Sequence, residues 1–196
     1  RIGKRQQQVD RRVFHHRESG QRGPEQVHAG GGVCEAEAAV GRGGTAACIG
    51  AHEPFILEGV GVNPTRTGLL EMLSLMGADL RLVNHRSAGA EPVADIEVRP
   101  ARLRGIRVPE RLVPLSIDEF PAFFIAAACA DGETRVTGAE ELRVKESDRI
   151  AVMARGLDAL GVRNEVLADG LRIEGGPFGG GIVDSEAAYR ERVRAG

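Results

Sequence analysis

Residues 55–77 read FILEGVGVNPTRTGLLEMLSLMG, and the change of period inside this stretch decides the fold class. Residues 55–60 are an apolar run punctuated by Gly59 and Gly61, which predicts a strand. Residues 67–76 then carry Leu69, Leu70, Met72, Leu73, Leu75 and Met76, which predicts a helix stopped by Gly77. A short strand, a polar loop and a helix in immediate succession is the texture of an α/β chain.

The same texture continues downstream. Residues 79–84 and 95–99 predict strands, and residues 86–92 between them are small, polar and proline-terminated, a candidate crossover between lobes. Residues 120–130 are apolar on every face, which suits a helix buried in a domain centre, with Asp118 available as its cap and Pro121 tolerated in its first turn. A short strand follows at 135–138. Residues 149–160 place Ile150, Met153, Leu157 and Leu160 on one helical face closed by Gly161, and 165–168 and 171–174 predict two more strands.

Laid side by side, these pieces repeat. Ala46-Ala47-Cys48 and Ala127-Ala128-Cys129 each precede a strand ending at Gly59 or Gly138, then a polar loop, a helix, and Met76-Gly77 or Leu160-Gly161. The first glycines stand 138 − 59 = 79 residues apart. Two copies of one unit predict a pseudo-symmetric architecture in which each copy needs a neighbour to cover its apolar face.

Residues 1–44 differ in kind. They hold Gln6, Gln7, Gln8, a His15-His16 pair and Gly30-Gly31-Gly32, with no apolar stretch of period 2 or 3.6. Three readings stay open for them: a basic arm touching phosphate, a disordered leader, or a segment whose coding frame is not the native one.

Over all 196 residues, 26 Lys and Arg stand against 28 Asp and Glu, a formal net charge of −2, so no whole-chain field exists to hold a nucleic acid or an anionic membrane. No run approaches the roughly 18 apolar residues of a membrane span, and the start lacks the apolar core of a secretory signal, so a cytoplasmic location is expected. Cys34, Cys48 and Cys129 are odd in number and form no metal-ligand spacing, which leaves small core or surface thiols as the expectation.

Three clusters carry the chemistry. In Glu140-Glu141-Leu142-Arg143-Val144-Lys145-Glu146-Ser147-Asp148-Arg149, Lys145 and Arg149 stand four apart at a helix start, where the macrodipole favours anions. A phosphate or carboxylate ligand resolves that conflict; so does a solvated helix start in which Glu146 and Asp148 pair with the cations. In Ser116-Ile117-Asp118-Glu119-Phe120-Pro121 a carboxylate precedes a buried helix, as an N-cap or as a group for acid/base work. Gly61-Val62-Asn63-Pro64-Thr65-Arg66-Thr67-Gly68 offers Arg66 and two hydroxyls ahead of a helix, for a phosphate or for capping.

Residues 57–68, 117–121 and 141–149, with Gly175-Gly176-Pro177-Phe178-Gly179-Gly180-Gly181 behind them, closely resemble the EPSP synthase (3-phosphoshikimate 1-carboxyvinyltransferase) family over 46–185, a middle-to-late portion of that family's chain. The resemblance implies an incomplete α/β (α+β) fold built from repeated βαβαββ units of the two-lobed enolpyruvyl transferase architecture, an inside-out α/β barrel. It also implies an organisation: 1–45 without family likeness, 46–90 ending one lobe, 91–185 belonging to the other, and 186–196 a divergent tail.

The activity implied is transfer of the enolpyruvyl group of phosphoenolpyruvate to the 5-hydroxyl of shikimate 3-phosphate, releasing phosphate, on the route to aromatic amino acids. No metal or other cofactor is implied, and the family enzyme is typically monomeric. By the matching motifs Asp118 and Glu146 are the catalytic pair, Asp118 serving the attacking hydroxyl and Glu146 the phosphoenolpyruvate methylene. Shikimate 3-phosphate falls to Asp118, Lys145 and Arg66, and phosphoenolpyruvate to Arg149. The family's N-terminal Lys, Ser and Arg have no counterpart, and Glu186-Ala187-Ala188-Tyr189-Arg190 stands where its His-Gly-Asp-His-Arg is expected. The isolated chain is therefore expected to be inactive without its missing half. The other readings weighed are a non-catalytic remnant acting through its basic arm, and a UDP-sugar enolpyruvyl transferase.

Overall fold

The computed structural model describes residues 25–28 by their backbone, together with 45, 53–64, 67–145, 147–177 and 183. The first elements are strands β1 (Glu25–His28) and β2 (Phe55–Gly61), helix α1 (Gly68–Leu75), and strands β3 (Asp79–Ala88) and β4 (Glu91–Arg99). After the 3-10 turns Glu110–Leu112 and Pro114–Ser116 come helix α2 (Phe120–Cys129) and strand β5 (Gly132–Val136). The 3-10 turn Glu140–Arg143, helix α3 (Arg149–Ala159) and strands β6 (Asn164–Leu167) and β7 (Gly170–Gly175) complete the order. Among the described residues no helix is long and apolar enough to cross a membrane.

The repeat read from the sequence is present as a topology from β2 and β5 onward; Ala46-Ala47-Cys48, which heads its first copy, lies outside the described residues. β2-α1-β3-β4 and β5-α3-β6-β7 are the same split β-α-β unit, with the last strand inserted antiparallel between the first and the second to give sheet orders β1-β2-β4-β3 and β5-β7-β6. Even the leading strand recurs: β1 runs parallel to β2, and bridges Arg104 to Asp131 and Arg107 to Arg135 lay residues 104–107 parallel to β5. With α2 between that edge and β5, the second copy is a βαβαββ unit whose first strand is reduced to two bridges. The fold is thus mixed α/β, as expected.

Helices α1 and α2 lie within 1–2 residues of their predicted ranges, and α1 ends at Gly77, whose φ of 92° is left-handed. Helix α2 buries Phe120, Phe123, Phe124, Ala126, Ala127 and Ala128, with Phe120 and Phe123 edge to face at 5.9 Å. One apolar core joins both units, from Leu57 and Leu69 through these phenylalanines to Leu157 and Ile173.

Two expectations are corrected here. Residues 86–92 are not a crossover: they are the end of β3, the turn and the start of β4, one hairpin with Ala88 opposite Glu91. The expected division between 46–90 and 91–185 falls at this turn, where the chain reverses without leaving the sheet. Strand β3 also runs past Asn84, where the reading ended it, because Asn84 takes a left-handed φ of 52° inside a register shift between Val83 and Arg86. Strand β1, an element not foreseen, lies in the segment to which no period was assigned.

Asp95 of β4 pins that irregularity. It is 6% exposed and accepts from the Gly59 N–H at 2.8 Å, from Asn84 Nδ2 at 2.9 Å and from Arg86 Nη2 at 2.7 Å, tying all three strands of the first unit. The Arg86 hydrogen bond, helped by Gly59 and Asn84 against the opposing effect of burial, holds its pKa down at about 2.

Candidate functional site

The second unit delivers its charged groups on the stretch between β5 and α3. The chain leaves β5 and turns at Gly138, whose φ of 72° a side chain rarely adopts. Its N–H donates to Asp169 Oδ2 at 2.8 Å, and the Ala139 N–H donates to the Asp169 carbonyl at 2.7 Å, so the loop starts fixed to the β6–β7 turn. The 3-10 turn Glu140–Arg143 then buries Leu142 as its anchor. Asp148 is the N-cap of α3, with Oδ1 accepting from the Ala151 N–H at 2.9 Å.

Between these anchors Lys145 and Arg149 face Asp118. Arg149 Nη1 lies 3.1 Å from Asp118 Oδ1, and Lys145 Nζ lies 3.8 Å from the same oxygen and 2.7 Å from Glu141 Oε1. The hydrogen bond to Glu141, with the charges of Asp118 and Glu141 behind it, holds the Lys145 ammonium above its ordinary pKa, against burial and the neighbouring Arg149. Lys145 and Arg149 are about three-quarters covered at 24% and 25% exposure while Asp118 is 69% exposed, so a solvent-borne anion meets two cations backed by protein.

Asp118 is carried by the turn leading into α2. Buried Ser116 donates its hydroxyl to the Leu112 carbonyl at 3.1 Å and accepts from the Glu119 N–H at 3.0 Å, which shapes that turn. The first unit abuts it directly: a Cβ at Gly68 would stand 2.1 Å from Ser116 Oγ and 3.0 Å from the Leu115 carbonyl. The start of α1 therefore fits against the Asp118 segment only as glycine.

Three of the five expected site residues, Asp118, Lys145 and Arg149, thus come together, although Asp118 is 31 positions from Arg149. Arg66 and Glu146 lie outside the described residues. Asp118 is not the cap of α2: the N-cap is Glu119, without a side-chain cap bond, and the Asp118 carboxylate reaches across to Arg149 instead. Asp148, read as a partner for the cations, caps α3 and pairs with Arg143 at 2.8 Å. Glu141 and Arg143 were not singled out; the spacing of four from Glu141 to Lys145 was the available signal. The arrangement can hold a doubly charged oxyanion between two cations with a carboxylate at its edge.

Comparison with known proteins places this segment in context. Residues 43–190 match the family described as EPSP synthase (3-phosphoshikimate 1-carboxyvinyltransferase). The 3-phosphoshikimate 1-carboxyvinyltransferase of Alkalilimnicola ehrlichii is 60% identical over 145 residues, 74% of this chain and 32% of that protein. That of Acidithiobacillus ferrooxidans is 61% identical over 144 residues, 74% of this chain and 33% of that protein. A solved EPSP synthase from Acinetobacter baumannii superposes with a TM-score of 0.72 at 50% identity, covering 80% of this chain and 37% of that one. The chain spans about a third of the length of the curated relatives it matches.

Proposed function

The chain belongs to the EPSP synthase family, and from that premise we propose that it supplies part of a site that transfers the enolpyruvyl group of phosphoenolpyruvate to the 5-hydroxyl of shikimate 3-phosphate. The observation that carries this reading is the meeting of Asp118 with Lys145 and Arg149 inside the matched residues. Both substrates are multiply charged anions, and bringing them together requires cations that suppress their repulsion. Lys145 binds the shikimate phosphate, and Arg149 binds phosphoenolpyruvate through its planar fork of donors. Asp118 contacts the shikimate hydroxyls and accepts the proton of the 5-hydroxyl as that oxygen forms its bond to C2 of phosphoenolpyruvate. Glu146 gives a proton to the methylene carbon and takes one back when the C–O bond to phosphate breaks, restoring the double bond. Arg66 adds a second cation for the shikimate phosphate.

In this reading the partners are these two small molecules rather than nucleic acid or membrane, the place of action is the cytoplasm, and turnover requires parts of the family chain beyond the matched residues. The test is an amide proton-nitrogen NMR titration of the chain with shikimate 3-phosphate. Shifts concentrated at Asp118, Lys145 and Arg149 are expected; a dispersed spectrum that does not move at millimolar ligand refutes the reading.

A further inference from the structure

Arg143 stands two residues before Lys145, and its ion-pair partner Asp148 stands one residue before Arg149. The two ends of the short stretch that carries both cations are therefore joined to each other. The Arg143 guanidinium uses all its faces: Nε donates to the Ala168 carbonyl at 2.9 Å, Nη2 to the Leu167 carbonyl, and Nη1 to Asp148 Oδ2 at 2.8 Å. The carbonyls belong to the β6–β7 turn, the same turn whose Asp169 holds Gly138 and Ala139. The other oxygen of Asp148 caps α3. One planar group thus fixes the turn, the helix start and the loop together, which three diverging donors in a rigid fork can do and a single ammonium cannot.

Resting on the reading above, we propose that Arg143 is a positioning residue for this site, holding Lys145 and Arg149 against Asp118 by clamping Asp148 to the β6–β7 turn. It touches neither cation and no substrate; it acts through the geometry of the loop. Its side chain is 28% exposed and its partner 36%, so the clamp is largely shielded from solvent.

The experiment uses the whole chain, labelled with nitrogen-15, as wild type, Arg143→Gln, Arg143→Lys and Asp148→Asn. The first readout contains no ligand: the Arg149 guanidinium resonances, which are slowed and resolved when the group is held on a carboxylate. Arg143→Gln and Arg143→Lys are both expected to average them while amide protection across Ile150 to Ala159 persists, because α3 remains packed by Ile150 and Leu157. A merely structural role would weaken that protection and leave the Arg149 signature alone, which overturns the proposal. Where Arg143→Gln does not fold, Asp148→Asn decides, since asparagine still caps a helix but cannot form the ion pair; an unchanged Arg149 signature there is equally fatal. The second readout is shikimate 3-phosphate affinity, expected to weaken about tenfold in Arg143→Gln. Equal affinity in wild type and Arg143→Gln overturns the proposal, whereas a wild type that binds nothing sinks the functional reading and leaves the ligand-free signature to judge the clamp.

Discussion

Replacing Asp95 with asparagine tests how the first unit is held. The carboxylate is 6% exposed and collects three donors, from Gly59, Asn84 and Arg86, and its pKa stands at about 2 against an ordinary 3.8. A difference of that size corresponds to roughly 2 kcal/mol, at about 1.4 kcal/mol per unit. Because the folded value is the lower one, this contribution is fully present above about pH 4 and disappears as the pH falls through 2. Asp95→Asn keeps an oxygen for Gly59 and Arg86 but removes the charge that Arg86 pairs with and turns an NH₂ toward Asn84, which already offers a donor. It is expected to lower unfolding free energy at pH 7 by about 2 kcal/mol, in urea titrations followed by circular dichroism. Many carboxylates titrate in acid, so the informative quantity is the gap between wild type and variant, which must narrow between pH 4 and pH 2. A gap that stays constant over that range, or one below about 0.5 kcal/mol at pH 7, refutes the assignment of the lowered pKa to this network.

Three further outcomes are expected. Gly68→Ala should cost about 1–3 kcal/mol in the same urea assay, because its Cβ meets Ser116 Oγ and the Leu115 carbonyl, and Ser116→Ala in the same chain should recover part of the loss by removing the nearer atom. Phe124→Ala empties a fully buried position beside Phe120 and should cost about 3–5 kcal/mol, measured by thermal and urea unfolding. Lys145→Gln should weaken shikimate 3-phosphate binding by at least about tenfold in the NMR titration with no loss of amide dispersion, since Lys145 forms its contacts at the surface of the site.

The parts of the fold legible in the sequence are those where burial imposes a period or a glycine imposes a turn. Helix α2 was readable because its apolar run is unbroken, although the face with Pro121, Ala122, Ile125 and Cys129 is only partly covered, and α1 because Gly77 marks its end. Strand β3 was only half readable for a physical reason: it lies at the sheet edge, so residues 84–88 are exposed and carry no alternation, and the stretch looks like a linker. Its partner β4 is central and buries Val93 to Ile96, yet Pro92 and Asp95 broke the apolar run that announces such a strand. Strand β1 is held by backbone pairing to β2, which four residues of mixed character do not advertise. At the site, local spacing showed the Lys145 and Arg149 pair and the motifs supplied Asp118, but which carboxylates meet which cations depends on how α2 approaches α3. That is a property of packing between helices within the second unit and is absent from any single stretch.

Comparison of the two units explains why the charged groups collect on the second. Gly59 and Gly138 share a φ of 72°, and each donates its N–H to an aspartate at 2.8 Å, so the same tie recurs, inside β2 at its register shift in the first unit and two residues past β5 in the second. The aspartates come from different places: Asp95 from inside β4, and Asp169 from the β6–β7 turn at the rim of its sheet. In the first unit the tie is sunk in the sheet and locks three strands. In the second it lies at the base of a loop, and that loop is longer: residues 62–67 join β2 to α1, whereas residues 137–148 join β5 to α3. Six additional residues leave room for the stretch that bears Lys145, and a longer span loses more conformational freedom when ordered. The 3-10 turn over Leu142, the Asp148 cap and the Arg143 clamp supply the contacts that offset that loss. Removing the clamp should therefore loosen this loop and leave the Asp95-tied part of β2 in the first unit unchanged, a contrast that hydrogen exchange at Gly138 and Gly59 in Arg143→Gln would read directly.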